Sequence, residues 1–266
     1  MPPKLLRSYK NRFPFSLGAP SYIYPGDYIL NIKRLGPYLD EIELLFFESL
    51  PKNSLPSPEN FREMARLSAE LDLAYNVHLP IDVSISDPDP EMRGLAVEKL
   101  IHAMGPASLL DPTAMILHVD YKEENFSEKC VGKWKERIEG SLESLLSTGI
   151  NGEKIAIETL DYPFEIIEDI VFDHGLSVCL DFGHLILHGR DIEKVFDKYA
   201  KRVSMIHLHG VKDGEDHLGL DACAEKEVMS KFFRILKRFS GSVSLEVFSY
   251  ERLEKSLEAL EAGWAD

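Results

Sequence analysis

Val178-Cys-Leu-Asp-Phe-Gly-His184 reads as a short buried strand that ends in a carboxylate. An extended chain rises about 3.3 Å per residue and alternates faces. Asp181 and His184 would therefore point apart unless the chain bends. Gly183 is expected to supply that bend, because glycine tolerates backbone angles that other residues avoid. A turned D-x-x-H pair can bring both side chains into one cavity, each serving a different metal ion. Alone the motif is weak. Its meaning depends on whether other strands also end in ionisable residues.

Working outward, β-like runs and amphipathic helical stretches alternate along the whole chain. Strands are predicted over Phe15–Ala19, Glu41–Phe47, Ala74–Leu79, Ala114–Asp120, Lys154–Thr159, Ser177–Asp181, Val203–His209 and Ser242–Phe248. Helices are predicted over Asp27–Tyr38, Ser57–Asp72, Asp87–Ala107, Ser127–Ser147, Phe164–Asp173, Ile192–Tyr199, Ala224–Phe239 and Glu251–Ala262. Ser57-Pro58 has the cap-then-proline order of a helix start. Eight strands, each followed by a helix and joined by right-handed crossovers, describe an α/β fold: a single (β/α)8 barrel, or TIM barrel. The expected organisation is an N-terminal tail over 1–13 and one barrel domain over 14–266.

Composition narrows the partners. The 266 residues are 44% hydrophobic and 28% charged, enough to bury a substantial core. No apolar run reaches the roughly 18 residues that span a bilayer. Met1-Pro-Pro-Lys-Leu-Leu-Arg7 is basic but has no apolar h-region, so no secretory signal is read. Cys130, Cys179 and Cys223 are odd in number and scattered, which suits reduced thiols and a cytoplasmic location. The formal net charge is −15, from 45 acidic and 30 basic residues. A field of that sign repels a polyanion, and duplex binding rests on clustered Lys and Arg. The one basic cluster is Lys4, Arg7, Lys10 and Arg12, in the tail. Nucleic acid and membrane are disfavoured as partners, and a small-molecule substrate is expected; the oligomeric state is left open.

Barrel active sites lie at the C-terminal ends of the strands. Those ends carry His78, His118, Glu158, Asp181, His207 and Glu246. Parity links them: Glu158 shares a face with Ala156, Asp181 with Cys179, His207 with Met205, and Glu246 with Ser244. A lone His at a strand end is more often a packed residue than a ligand. Six ionisable residues on six successive strands point instead to a metal centre, because buried charges are costly unless paired or bound to metal. Histidine and carboxylate without thiolate suit Zn, Mn or Fe. The arrangement divides into Glu158 bridging two ions, His78 and His118 on one, and Asp181, His207 and Glu246 on the other. Glu158, Asp181 and Glu246 are the candidate catalytic residues. In the loop after the seventh strand, Glu215 or Asp216 with His217 would join His184 in a third subsite, so two or three divalent ions are expected. His209 shares a face with His207 beyond it. Tyr22, Tyr24 and Glu48 are candidate substrate contacts, as is Glu43.

With these residues in place, the chain resembles the xylose-isomerase-like barrel superfamily, which includes endonuclease IV-type (AP endonuclease family 2) nucleases and many sugar isomerases and epimerases. The nuclease branch carries His on strands three and four, Glu on five, D-x-x-H on six, His on seven, an acid-x-His loop and Glu on eight. His78, His118, Glu158, Asp181–His184, His207, Glu215–His217 and Glu246 match that order. Glu215 stands where the family has Asp. Isomerases and epimerases typically hold one metal with the residues of strands five to eight. Segments of the N-terminal third, Ser21-Tyr-Ile-Tyr-Pro25 and Tyr75-Asn-Val-His-Leu-Pro80 among them, are similar to bacterial cobamide-remodelling phosphodiesterases. That resemblance implies hydrolysis of the nucleotide-loop phosphodiester of a corrinoid. The alternatives are a sugar isomerase or epimerase, in which Glu158 and Glu246 move protons, and an abasic-site endonuclease.

Overall fold

Alternating burial inside and outside the sheet decides how this chain closes. In Ser177–Asp181, Val178 and Leu180 face outward into helix-covered core, while Cys179 and Asp181 face inward; all four are buried. The computed structural model describes residues 3–49, 55–223 and 226–265. Met1 and Pro2 of the tail, Ala224 at the expected start of a helix, and Asp266 lie outside the described residues. The barrel strands are β1 (Ser16–Pro20), β2 (Glu41–Leu45), β3 (Ala74–His78), β4 (Met115–Leu117), β5 (Ile155–Glu158), β6 (Ser177–Asp181), β7 (Val203–Leu208) and β10 (Ser242–Leu245). They pair in parallel in chain order, and β10 closes on β1. Ile116, Ala156, Cys179 and Met205 form a small apolar layer inside the barrel. The ionisable residues two positions further along the same strands lie above it.

The helices are α1 (Tyr28–Leu35), α2 (Pro58–Leu71), α3 (Pro90–Ser108), α4 (Glu128–Leu146), α5 (Glu168–Asp173), α6 (Phe182–Leu187), α7 (Ile192–Tyr199), α8 (Lys226–Leu236) and α9 (Tyr250–Ala265). Asp27, Ser57, Asp89, Ser127 and Asp191 each cap a helix by accepting a backbone N–H. The start of α3 differs from expectation. Asp87-Pro88 makes a turn in which the Asp89 N–H donates to Asp87, and the following Asp89-Pro90 opens the helix. The stretch expected as one helix over Phe164–Asp173 splits into a 3-10 turn, Phe164–Ile166, and the short α5.

Two further differences bear on the site. The loop after β7 is a hairpin, β8 (Gly210–Lys212) and β9 (Glu215–Leu218), turning at Asp213-Gly214 with both residues at positive φ. Asp-Gly is the preferred pair for such a turn. The bend at Gly183 is also not a glycine turn. Asp181 caps α6 directly, accepting the His184 N–H at 2.7 Å. Glycine is needed for space: a Cβ on Gly183 would lie 1.9 Å from His209 Cε1.

The N-terminal segment packs although its described part, 3–13, has no helix or strand. Leu5 and Tyr9 are buried in the core. Lys10 Nζ donates to the carbonyls of Leu71 and Asp72 at the end of α2 (2.7 and 2.6 Å), and Arg7 and Arg12 both pair with Glu261. The basic cluster is thus tied to the barrel itself. Among the described residues, no helix is long and apolar enough to cross a membrane.

Candidate metal centre

The strand order brings His78, His118, Glu158, Asp181, His207 and Glu246 together at one barrel mouth. Glu158 is at the centre. Its Oε2 lies 3.3 Å from His78 Nε2 and 2.9 Å from His118 Nε2. Its Oε1 lies 3.4 Å from His184 Nδ1 and 3.6 Å from His207 Nδ1. His207 Nδ1 also faces Glu246 Oε2 at 3.2 Å and Asp181 Oδ2 at 3.8 Å. One carboxylate therefore has a histidine pair on one oxygen and a mixed acid–histidine cluster on the other.

These distances fit metal. Ligand atoms about 2.0–2.2 Å from a tetrahedral ion sit about 3.3–3.6 Å from one another, which matches the spacing around His207 Nδ1. His207 Nδ1 and Glu246 Oε2 are buried without a hydrogen-bond partner among the described residues, although they lie close together. Three carboxylates, Glu158, Asp181 and Glu246, surround this one nitrogen, which is the arrangement of atoms aimed at a common point. A purely structural ion-pair cluster would leave fewer such atoms unsatisfied.

The outer bonds of the rings agree. His78 Nδ1 lies 3.0 Å from the Leu79 carbonyl, His184 Nδ1 3.3 Å from that of Thr159, and His217 Nδ1 3.1 Å from that of Glu246. A proton on Nδ1 of each ring makes that bond and leaves Nε2 with its lone pair, which is how ligand histidines are oriented. Asp181 is steadied by its own N–H donating to Thr159 Oγ1 (2.9 Å), by the His184 amide and by His209, whose Nε2 is 3.1 Å from Oδ1.

The electrostatics are those of a site built for cations. Burial raises the pKa of Glu158, but His118 and His207 overcome it and hold the carboxyl well below its usual range. Asp181 behaves likewise, with burial opposed by His209 and His184. Burial also raises Glu246, and His207 brings it down to about 2. The histidines move the other way. Burial lowers His78, yet bonding to Glu158 brings it to about 9. His207 is raised well above its ordinary value against burial, by Cys179 and the surrounding Glu246, Glu43 and Glu158. Asp181 likewise overcomes burial to lift His209 to about 9. The His217 N–H, however, donates to His209 Nδ1 at 2.9 Å, which requires a lone pair there. The neutral Nε2–H form satisfies both of its bonds.

The third group gathers His184, His209 and His217 within metal-sized distances; with both nitrogens of His209 engaged, the ring nitrogens open to an ion there are Nε2 of His184 and of His217. Of the two acids expected there, Asp216 is brought to the group and Glu215 is not. Glu215 is exposed, and the carboxylate that the hairpin brings to within 4.0 Å of His184 Nε2 belongs to Asp216. Strand alternation turns Glu215 away from Asp216, and the positive φ of His217 breaks the alternation so that its ring joins the same group as Asp216. A cavity of about 290 Å³ opens beside this group, lined in part by His118, Asp120, Asp161, His184 and Asp216.

The proposed substrate contacts divide. Tyr22 is 59% exposed at the mouth, and its ring stands 6.3 Å from that of Phe47. Phe47 in turn lies 6.3 Å from the His78 ring and 6.1 Å from Phe248, which is 5.0 Å from His217. The result is an aromatic wall running down to the His78 and His217 rings. Phe47 and Phe248 were missed as site residues, although each lies just past the end of a barrel strand. Glu48 is exposed on the same side. Tyr24 is corrected: it is buried, its hydroxyl donates to the Pro3 carbonyl and its ring packs near Tyr250, so it serves the fold. Glu43 is fully buried behind His207 and out of reach of a substrate.

Known structures place this architecture. A D-tagatose 3-epimerase-like protein superposes with a TM-score of 0.75 at 21% identity, over 94% of this chain and 97% of the other. Endonuclease IV from Thermus thermophilus gives 0.70 at 18%, over 93% and 99%. The IolI protein with a binding zinc atom gives 0.71 at 14%, over 94% and 98%. At these identities the likeness is one of fold. Among curated proteins, none matches the chain. The sequence profile of the xylose isomerase-like TIM barrel family matches residues 29–265, which is most of the chain, and the protein belongs to that family.

Proposed function

We propose that the protein is a divalent-metal-dependent hydrolase of a small-molecule phosphodiester, with the nucleotide-loop phosphodiester of a cobamide as substrate. The observation that carries this reading is the double use of Glu158, with His78 and His118 on Oε2 and His207 on Oε1. A single-ion centre needs only the second set. Divalent ions bound there would supply an acidified water and compensation for charge on the phosphoryl oxygens. Within the chain, Asp181 commits Oδ1 to the His184 amide and turns Oδ2, shared with His209 Nε2 at 3.3 Å, toward His207 Nδ1, where it can orient an attacking water. His78, His184 and His217 direct Nε2 inward through their carbonyl bonds. The aromatic wall of Tyr22, Phe47 and Phe248 gives a planar part of the substrate a surface to stack on. The acidic composition and the internally paired basic tail argue against a nucleic-acid substrate.

A second reading is sugar epimerisation. It rests on the cluster of Glu158, Asp181, His207 and Glu246, which stands complete without His78 and His118, and epimerases are among the similar structures. The discriminating experiment is incubation of the Zn- or Mn-loaded protein with a cobamide, followed by chromatography for cobinamide or its phosphate. Release supports the hydrolase. Absence of release together with turnover of a ketose would sink it.

A further inference from the structure

Of the two barrel strands that supply no candidate ligand, β1 and β2, the second still sends a carboxylate to the centre. Glu43 of β2 lies on the opposite side of the His207 ring from the metal-facing nitrogen. Its Oε1 is 3.1 Å from His207 Nε2, and both residues are fully buried. Its Oε2 accepts a hydrogen bond from Ser244 Oγ on β10. Among the described residues, neither Oε1 nor Nε2 has an aligned hydrogen-bond partner. Two buried complementary atoms in contact, with nothing else to bond, carry a desolvation cost that only their own bond removes.

We propose that Glu43 is the positioning carboxylate of the metal centre: it holds the proton on His207 Nε2 and thereby aims the Nδ1 lone pair at the ions. The chemistry follows from the ring. A neutral imidazole has one N–H and one lone pair, and the bond made by one nitrogen decides what the other can do. His78, His184 and His217 use a backbone carbonyl on Nδ1 and present Nε2. His207 is turned the other way, with Nδ1 toward Glu158, Asp181 and Glu246, so a carbonyl at Nδ1 cannot serve it. Glu43 takes that place at Nε2. A carboxyl group in that place also makes the imidazole a stronger donor than a backbone carbonyl would. Ser244 fixes which oxygen is free to do so.

The inference rests on the metal centre and is independent of the reaction catalysed there. The test compares Co²⁺ binding to wild-type protein and Glu43→Gln, by chelator competition and by the visible absorption of the Co²⁺-loaded forms. Weakening of about tenfold to a hundredfold, with displaced absorption bands and an unchanged far-UV spectrum, is expected. A folded Glu43→Gln protein that binds Co²⁺ within about twofold of wild type and keeps its spectrum would overturn the proposal. If Glu43→Gln does not fold, Ser244→Ala replaces it. That change frees Glu43 without removing its charge, and it should shift the Co²⁺ bands; identical bands would count against the proposal. A wild-type protein that takes up no Co²⁺ would remove the centre itself and this inference with it.

Discussion

Gly183→Ala is the smallest change that should disturb the centre from outside it. The new Cβ would lie 1.9 Å from His209 Cε1 and 2.4 Å from both ring nitrogens. Carbon atoms rest about 3.5 Å apart, so the imidazole must retreat by roughly 1.6 Å. A bond of 3.1 Å from Nε2 to Asp181 cannot follow that movement. Overpacking costs roughly 1–3 kcal/mol, and loss of a hydrogen bond to a charged group roughly 1.5–3. Alanine returns up to about 1 kcal/mol of helix propensity in α6. The net loss is therefore roughly 1.5–6 kcal/mol, or about 3–24 °C in melting temperature for a chain of this size. Thermal unfolding of the metal-free protein measures it. His209→Ala alone should destabilise, but adding Gly183→Ala to it should cost little, because the ring that clashed is gone. The reasoning is refuted if Gly183→Ala alone changes stability by no more than about 0.5 kcal/mol, as an ordinary surface substitution does.

Other outcomes follow from the same geometry. Glu158→Gln should leave the fold intact yet abolish activity and lower metal content in both main subsites; full activity in that variant would dismiss its bridging role. Metal uptake at pH 7 should release protons, because His78, at about 9, and His207, raised above its ordinary value, are protonated in the metal-free protein and must be neutral as ligands. The sign is then fixed: affinity rises with pH, through about 9 for the proton on His78, and calorimetry in buffers of different ionisation enthalpy showing no proton release would contradict it. Without metal, the raised His78 contributes stability that is complete below its ordinary pKa of 6.5 and is lost as pH rises through about 9. Phe47→Ala should raise KM for an aryl phosphodiester more than for an alkyl one, with kcat less affected; equal effects on both would remove the stacking role.

The barrel was legible because parity and strand ends are written locally. Val178, Leu180, Ile155 and Ile157 alternate with inward residues, and the same alternation that buries them selects Asp181 and Glu158. The hairpin was less legible. Asp213-Gly214 suits the turn, but the facing of Glu215 and Asp216 depends on the register in which β9 pairs with β8, which is irregular between Gly210 and Lys212. Gly183 misled for a related reason. Its sequence suggests backbone freedom, while the actual need is room for an imidazole from a neighbouring strand. Tyr24 and Glu43 illustrate the remaining limit: a residue near a strand end can face the mouth, the tail or the back of a ligand, and only packing across strands decides. For Glu43 the inward parity was readable, since it alternates with Ile42 and Leu44, but its partner His207 lies across the barrel.

The most direct test is the metal content of the protein purified under metal-replete conditions and dialysed free of loosely held ions. The shared Glu158 predicts two or more divalent ions per chain, falling sharply in Glu158→Gln. A single ion per chain, unaffected by replacing His78 or His118, would contradict the paired centre and leave the four-residue cluster around His207 as the whole site.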